Sequence, residues 1–269
     1  MNSLYVAALG MINQQINIDV ISNNLANINT PGFKKSAINF SDIYFQGIKN
    51  QNTQEQTEQT IKEQDQNQIS KTTVNFDSLI GVGSKANAIN RIFTQGIIQE
   101  SENPLDLAIE GDGFFKVILP DGTLGYTRDG SFHVDASGNI VNSNGFKLQP
   151  PISINQGFKE ILVSKDGNIS IVPLDSDEAV NIGKINLFSF PNPSGLQSLS
   201  DNVYIETPAS GNPKELNNGF TILQGYKEMS NVNVIEEMVN MINAQRAYEI
   251  NSKAVKTSDE MMSVRNNLR

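Results

Sequence analysis

The sequence predicts an α+β fold: helices at the two chain ends pair in a coiled-coil-like unit, and a mainly antiparallel β domain is inserted between them. Three observations predict it. Residues near both ends recur at alternating spacings of four and three, which places them on one face of a helix. From Val74 to Tyr226, short β-type runs alternate with turn residues. Charge is also unevenly spread. Residues 1–30 carry one charged side chain, Asp19, and residues 232–269 carry five acidic and five basic groups that cancel, so the stretch between holds −8 of the net −9.

The first helix is expected from about Ser3, as N-cap, to Asn27, with Thr30-Pro31-Gly32 stopping it. Its stripe is Leu4, Ala8, Met11, Gln15, Ile18, Ser22 and Leu25. The last helix begins at Asn231 or Asn233 as N-cap. Its stripe is Val234, Met238, Met241, Gln245, Tyr248, Ser252, Val255 and Met262, interrupted by Asp259. Each end alone is too short and too polar along its stripe to be a secure isolated helix. The ends are therefore expected to pack on each other and on copies from other subunits. An apolar stripe on an arbitrary helix is more often core than interface. Here the polar members, the scarcity of charge in residues 1–30 and the position at the chain ends favour an intersubunit seam, in which polar residues fix register at a cost in stability.

Between the helices, Phe33 to Phe45 reads as an extended segment with Phe33, Ile38, Phe40, Ile43, Tyr44 and Phe45 available for packing. Residues 46–71 differ in kind, with eight Gln, no aromatic and only three sizeable apolar side chains. Such a stretch buries too little surface to offset its ordering, so it is a surface loop or a segment that orders against neighbouring subunits. The β runs follow. Phe114 to Leu119 ends at the turn Pro120-Asp121-Gly122, and Tyr126-Thr127-Arg128 resumes the pairing. Phe132-His133-Val134 ends at Asp135-Ala136-Ser137-Gly138-Asn139. Residues 161–163, 168–172 and 184–190 continue the pattern. The expected domains are thus 1–30 with 231–269 as a helical, inner unit, 31–73 as a connecting segment, and 74–230 as a β-rich outer domain.

Composition excludes several classes of function. A net charge of −9 without a basic stripe argues against nucleic acid. With no cysteine there is no disulfide, thiolate metal site or cysteine nucleophile. The N-terminus lacks the basic leader, unbroken apolar run and cleavage pattern of a secretory signal, and no run approaches the ~20 apolar residues that span a bilayer, so no membrane insertion is expected. Gly111-Asp112-Gly113 and Gly81-Val82-Gly83 lack the Lys-Ser/Thr of a phosphate loop and read as turns. His133 is the sole histidine, which rules out a His-pair metal site. Asp175, Asp177 and Glu178 lack the spacing and glycine of a calcium loop. No catalytic, cofactor-binding or metal-ligating set emerges.

The motifs themselves resemble a known family. Asn24-Leu25-Ala26-Asn27 with Thr30-Pro31-Gly32-Phe33-Lys34, and at the other end Ser230-Asn231-Val232-Asn233, Glu236-Glu237-Met238-Val239 and Gln245-Arg246-Ala247-Tyr248, are similar to the terminal signatures of the bacterial flagellar rod and hook proteins. Residues 91–96, 103–109, 111–115 and 126–132 resemble the central block of that family. The resemblance covers the chain apart from 46–71, and length and tail wording point to its distal-rod branch. It implies a structural subunit that assembles as a helical homo-oligomeric tube, exported through the flagellar type III channel without a cleaved signal, meeting other rod, hook and ring proteins. Such a tube transmits torque and conducts exported proteins. The alternatives are a proximal-rod or hook subunit, an exported β-rich binding module or adhesin, and a cell-wall hydrolase with no visible catalytic set.

Overall fold

The computed structural model describes residues 2–45, 80–154, 157–174, 178–199 and 202–267. The Gln-rich segment 46–71, Asp175 and Asp177 lie outside the described residues. A long helix stands at each end: α1 is Asn2–Ala26 and α2 is Val234–Asn267. The first begins at Asn2, one residue before the expected start. Of the two candidate caps for α2, Asn233 takes the role. Its Oδ1 accepts the backbone N–H groups of Ile235 and Glu236 at 3.0 and 3.4 Å, two donors that the first turn cannot satisfy internally.

Between the helices the described residues form short strands. They are β1 Ser36–Phe45, β2 Ile80–Arg91, β3 Ile98–Glu100, β4 Leu107–Gly111, β5 Phe114–Ile118, β6 Leu124–Thr127, β7 Phe132–Val134, β8 Ile140–Asn142, β9 Lys147–Gln149, β10 Phe158–Val163, β11 Asn168–Pro173, β12 Val180–Lys184, β13 Leu187–Ser189, β14 Gln197–Ser198, β15 Val203–Ile205, β16 Lys214–Leu216, β17 Phe220–Gln224 and β18 Tyr226–Glu228. The chain divides into two compact units.

The first unit comprises residues 1–15, 40–87 and 246–269, as far as they are described. Here the front of α1 meets the back of α2 at close range. A Cβ placed on Gly10 would lie 2.8 Å from Asn251 Nδ2, so the Asn251 amide packs directly over the glycine. Asn13 also ties α1 to β2, donating through Nδ2 to the Ser84 carbonyl at 2.7 Å and to Ser84 Oγ at 2.9 Å.

The second unit, residues 16–39 and 88–245, contains the β core. Its largest sheet runs β14-β15-β6-β5-β9-β8-β7, with β13 joining β5 and β16. A three-stranded sheet orders β10-β11-β12, and β4 pairs with β17 and β3 with β18, all antiparallel. The two-residue period of a strand explains β5. Phe115 faces a main core that includes Leu107, Ile109, Phe132, Leu148, Ile169 and Ile222, while the adjacent Phe114 faces an aromatic cluster with Tyr126, Phe190 and Tyr204. The aromatic rings meet edge to face, as for Tyr126 and Phe190 at 4.8 Å between centroids. Turn chemistry follows the sequence: Asp135 Oδ1 accepts the N–H groups of Ser137 and Asn139, and Gly138 takes φ +83° with the Ile154 carbonyl where a Cβ would stand.

Candidate functional site

Two features set the candidate site: the faces of the terminal helices, and the knot of side chains that anchors them to the β core. On α1 the buried residues are Ala7, Asn13, Ile21 and Asn24; on α2 they are Glu237, Ala244 and Ser258. In the first unit Gly10 faces Asn251, and in the second Asn24 faces Glu237. Apart from Ile21, the buried positions on the two helices are small or polar.

The expected seam residues stand elsewhere. Leu4, Ala8, Met11, Ile18 and Leu25 are half-buried, and Gln15 and Ser22 are exposed. Val234, Met238, Gln245 and Tyr248 are exposed, while Met241, Ser252, Val255 and Met262 are half-buried. The α1 seam lies one position past the buried Ala7, Ile21 and Asn24, about 100° round the helix. Large apolar side chains are left uncovered within the chain: Ile235 is 75% exposed, Met238 52%, Val239 51%, Tyr5 53% and Ile12 56%.

The knot joins four of the sequence motifs. Lys34, fully buried, donates from Nζ to Glu228 Oε1 at 2.6 Å and to the Thr94 carbonyl at 2.8 Å. Glu228 Oε1 also accepts the Gly96 N–H at 2.9 Å, and its Oε2 accepts Arg128 Nη1 at 3.2 Å. Arg128 Nη2 donates to the Gly111 carbonyl at 2.8 Å, and the guanidinium sits 5.5 Å from the Phe114 ring centre. One carboxylate thus holds two cations away from water. Burial lowers the pKa of Lys34 and of Arg128, opposed in each case by the charge of Glu228.

Asn231, the candidate cap that does not cap, instead stitches the strand ends. Its Oδ1 accepts the Lys35 N–H at 2.7 Å, and its Nδ2 donates to Ile92 O, Thr94 O and Thr94 Oγ1. Asn24 clamps the Ser36 backbone with two hydrogen bonds of 2.9 Å and donates to Glu237 Oε2 at 3.1 Å. Lys35 reaches Glu236 and Glu237 at 2.8 and 2.7 Å; burial works against its charge, but these carboxylates raise its pKa. Gly32, at φ +68°, has no room for a side chain, because a Cβ would stand 2.5 Å from the Asp129 nitrogen. Of the other motif residues, Phe33 is buried under Arg91, Leu25, Asn27, Thr30, Pro31 and Ala247 are half-buried, and Ala26 and Arg246 are exposed.

Nothing in the sequence flagged the Lys34, Arg128 and Glu228 triad. Its members stand far apart in the chain, and each has another charged residue beside it, Lys35, Asp129 and Lys227, so none stood out by its charge. Among the described residues no three His, Cys, Asp or Glu side chains cluster as metal ligands, and no helix is long and apolar enough to cross a membrane.

Known sequences match this arrangement end to end. The family pattern described as flagella basal body rod protein matches residues 4–34, flagellar hook protein FlgE/F/G D1 domain matches 108–171, and flagellar basal body rod FlgEFG protein C-terminal matches 223–268. The flagellar basal-body rod protein FlgG of Buchnera aphidicola (subspecies of Acyrthosiphon pisum) is 45% identical over 97% of this chain and 96% of its own. The chain belongs to the flagellar basal-body rod protein family. FlgG of Borreliella burgdorferi is 42% identical over 100% of this chain and 99% of its own, and FlgG of Caulobacter vibrioides 39% over 100% of both. Within this rod-family chain the two terminal patterns fall on α1 and α2 and on the segments of the knot, and the central one covers the β core from β4 to β11.

Proposed function

We propose that the chain is a structural subunit of the distal rod of the flagellar basal body, and that its terminal helices are the surfaces through which copies join. The observation that carries this reading is the uncovered apolar surface on both helices, Tyr5 and Ile12 on α1 and Ile235, Met238, Val239 and Ile242 on α2. On α2 the spacing of these four residues puts them on one face, and an uncovered apolar face of this kind is costly in water and marks an interaction site. Identity to FlgG relatives over the full length supports the same role.

Head-to-tail contacts that do not close on themselves generate a helical tube. In such a tube the seam Leu4, Ala8, Met11, Gln15, Ile18, Ser22 and Leu25, with Val234, Met238, Met241, Gln245, Tyr248, Ser252, Val255 and Met262, is the subunit interface. The β core is the outer layer, and the lumen passes exported proteins while the wall carries torque. Other rod, hook and ring proteins are its axial and radial neighbours. Its place is the rod across the periplasm, reached by flagellar export with the N-terminus retained.

Electron microscopy of the purified chain after prolonged incubation tests this. Tubes in the native chain and none in a Met238→Asp variant with native circular dichroism are expected. Tubes formed equally by both would overturn the assignment of the interface.

A further inference from the structure

A cavity of about 460 Å³ opens where α1 ends and α2 begins, lined among others by Ile28, Gln95, Ile97, Val232, Asn233 and Val234. None of its lining residues carries a charge. Ile97 at its mouth is 76% exposed, and the neighbouring Val234 and Ile235 continue it directly into the uncovered apolar face of α2. We infer that this cavity receives the N-terminal turns of α1 from a second copy of the chain, with Tyr5, Ala8 and Ile12 as the inserted face.

The occupant follows from what the chain offers. Tyr5, Ala8 and Ile12 recur at i, i+3 and i+7, so they share one side of α1, and Tyr5 and Ile12 are both more than half exposed. No charged side chain occurs before Asp19, so this part of the helix brings no side-chain charge into an uncharged pocket. The pocket lies beside the last turn of α1 and the inserted face lies in its first turns. A contact between them joins one end of a helix in one copy to the other end in the next. That is a heterologous contact, which propagates along an axis and does not close a dimer.

The inference rests on the assembly reading above, and the absence of cysteine from the chain permits a test that separates the two. An Ile97→Cys chain is mixed in turn with Tyr5→Cys, Met261→Cys and Leu174→Cys chains, all at exposed positions, assembled, and oxidised. Circular dichroism of each monomer confirms native folding. The expected result is an intermolecular disulfide between Ile97→Cys and Tyr5→Cys that forms only in assemblies and is at least tenfold more abundant than either other pair. Assemblies that lack this cross-link, or that favour Met261→Cys or Leu174→Cys, overturn the docking while leaving the assembly reading intact. If no variant and no native chain assembles, the assembly reading fails, and the docking fails with it.

Discussion

Replacing Glu228 by Gln tests the knot most severely. The carboxylate accepts three hydrogen bonds, from Lys34 at 2.6 Å, Gly96 at 2.9 Å and Arg128 at 3.2 Å, and is 2% exposed. Gln keeps the shape but removes the only charge bonded to both cations, and it turns an N–H donor toward one of them. Removing one partner of a buried ion pair costs about 3–5 kcal/mol, chiefly because an unpaired charge remains behind. For a unit of this size each kcal/mol moves the melting temperature by roughly 2–4 °C, so a fall of roughly 6–20 °C is expected. The assay is thermal unfolding of the full chain followed by circular dichroism. Glu236→Gln is the control, since that carboxylate pairs with Lys35 while 59% exposed, and an exposed pair is worth about 0–1 kcal/mol. Replacing Lys34, Arg128 and Glu228 together by Met should recover most of the loss, because no charge is then left buried. A fall below about 2 °C for Glu228→Gln would refute the reasoning, since it would mean that water reaches the knot.

Two further outcomes follow from the same neighbourhood. Asn24→Ala should cost about 2–4 kcal/mol in the same assay, because it orphans both the N–H and the carbonyl of Ser36; a change within error would show that water replaces the amide. Asp129 has its pKa raised, first by burial, with nearby Asp106 adding to it against hydrogen bonds from Ser131. A carboxyl with a raised folded pKa binds its proton more tightly when folded, so stability falls as pH rises from the ordinary carboxylate range through the folded value. Asp129→Asn should flatten that slope and leave the chain more stable at neutral pH. Chemical denaturation at several pH values measures it, and an unchanged slope would exclude the residue as its source.

Local rules made much of the fold legible. Thr30-Pro31-Gly32 marked the end of α1, Asp135 and Gly138 marked their turn, and Asn233 was one of two candidate caps, each because a short stretch of chain decides the matter. The choice between Asn231 and Asn233 was not local. Asn231 is claimed by Ile92, Thr94 and Lys35, which only the tertiary fold brings near. The triad of Lys34, Arg128 and Glu228 was hidden for the same reason. On the helices the buried positions are Ala7, Asn13, Ile21, Asn24, Glu237, Ala244 and Ser258, mostly small or polar residues that carry little hydrophobic signal. A stripe search therefore passes over most of the buried positions, and on α1 it also misses Tyr5 and Ile12, the large apolar side chains left uncovered.

The central claim is that copies join through the terminal helices. Hydrogen exchange of the purified chain, compared before and after assembly, addresses it most directly. Amides of residues 2–26 and 234–267 should gain at least tenfold protection on assembly, while those of β4 to β9 stay as in the monomer. New protection confined to the β strands, with the helices unchanged, would contradict the account.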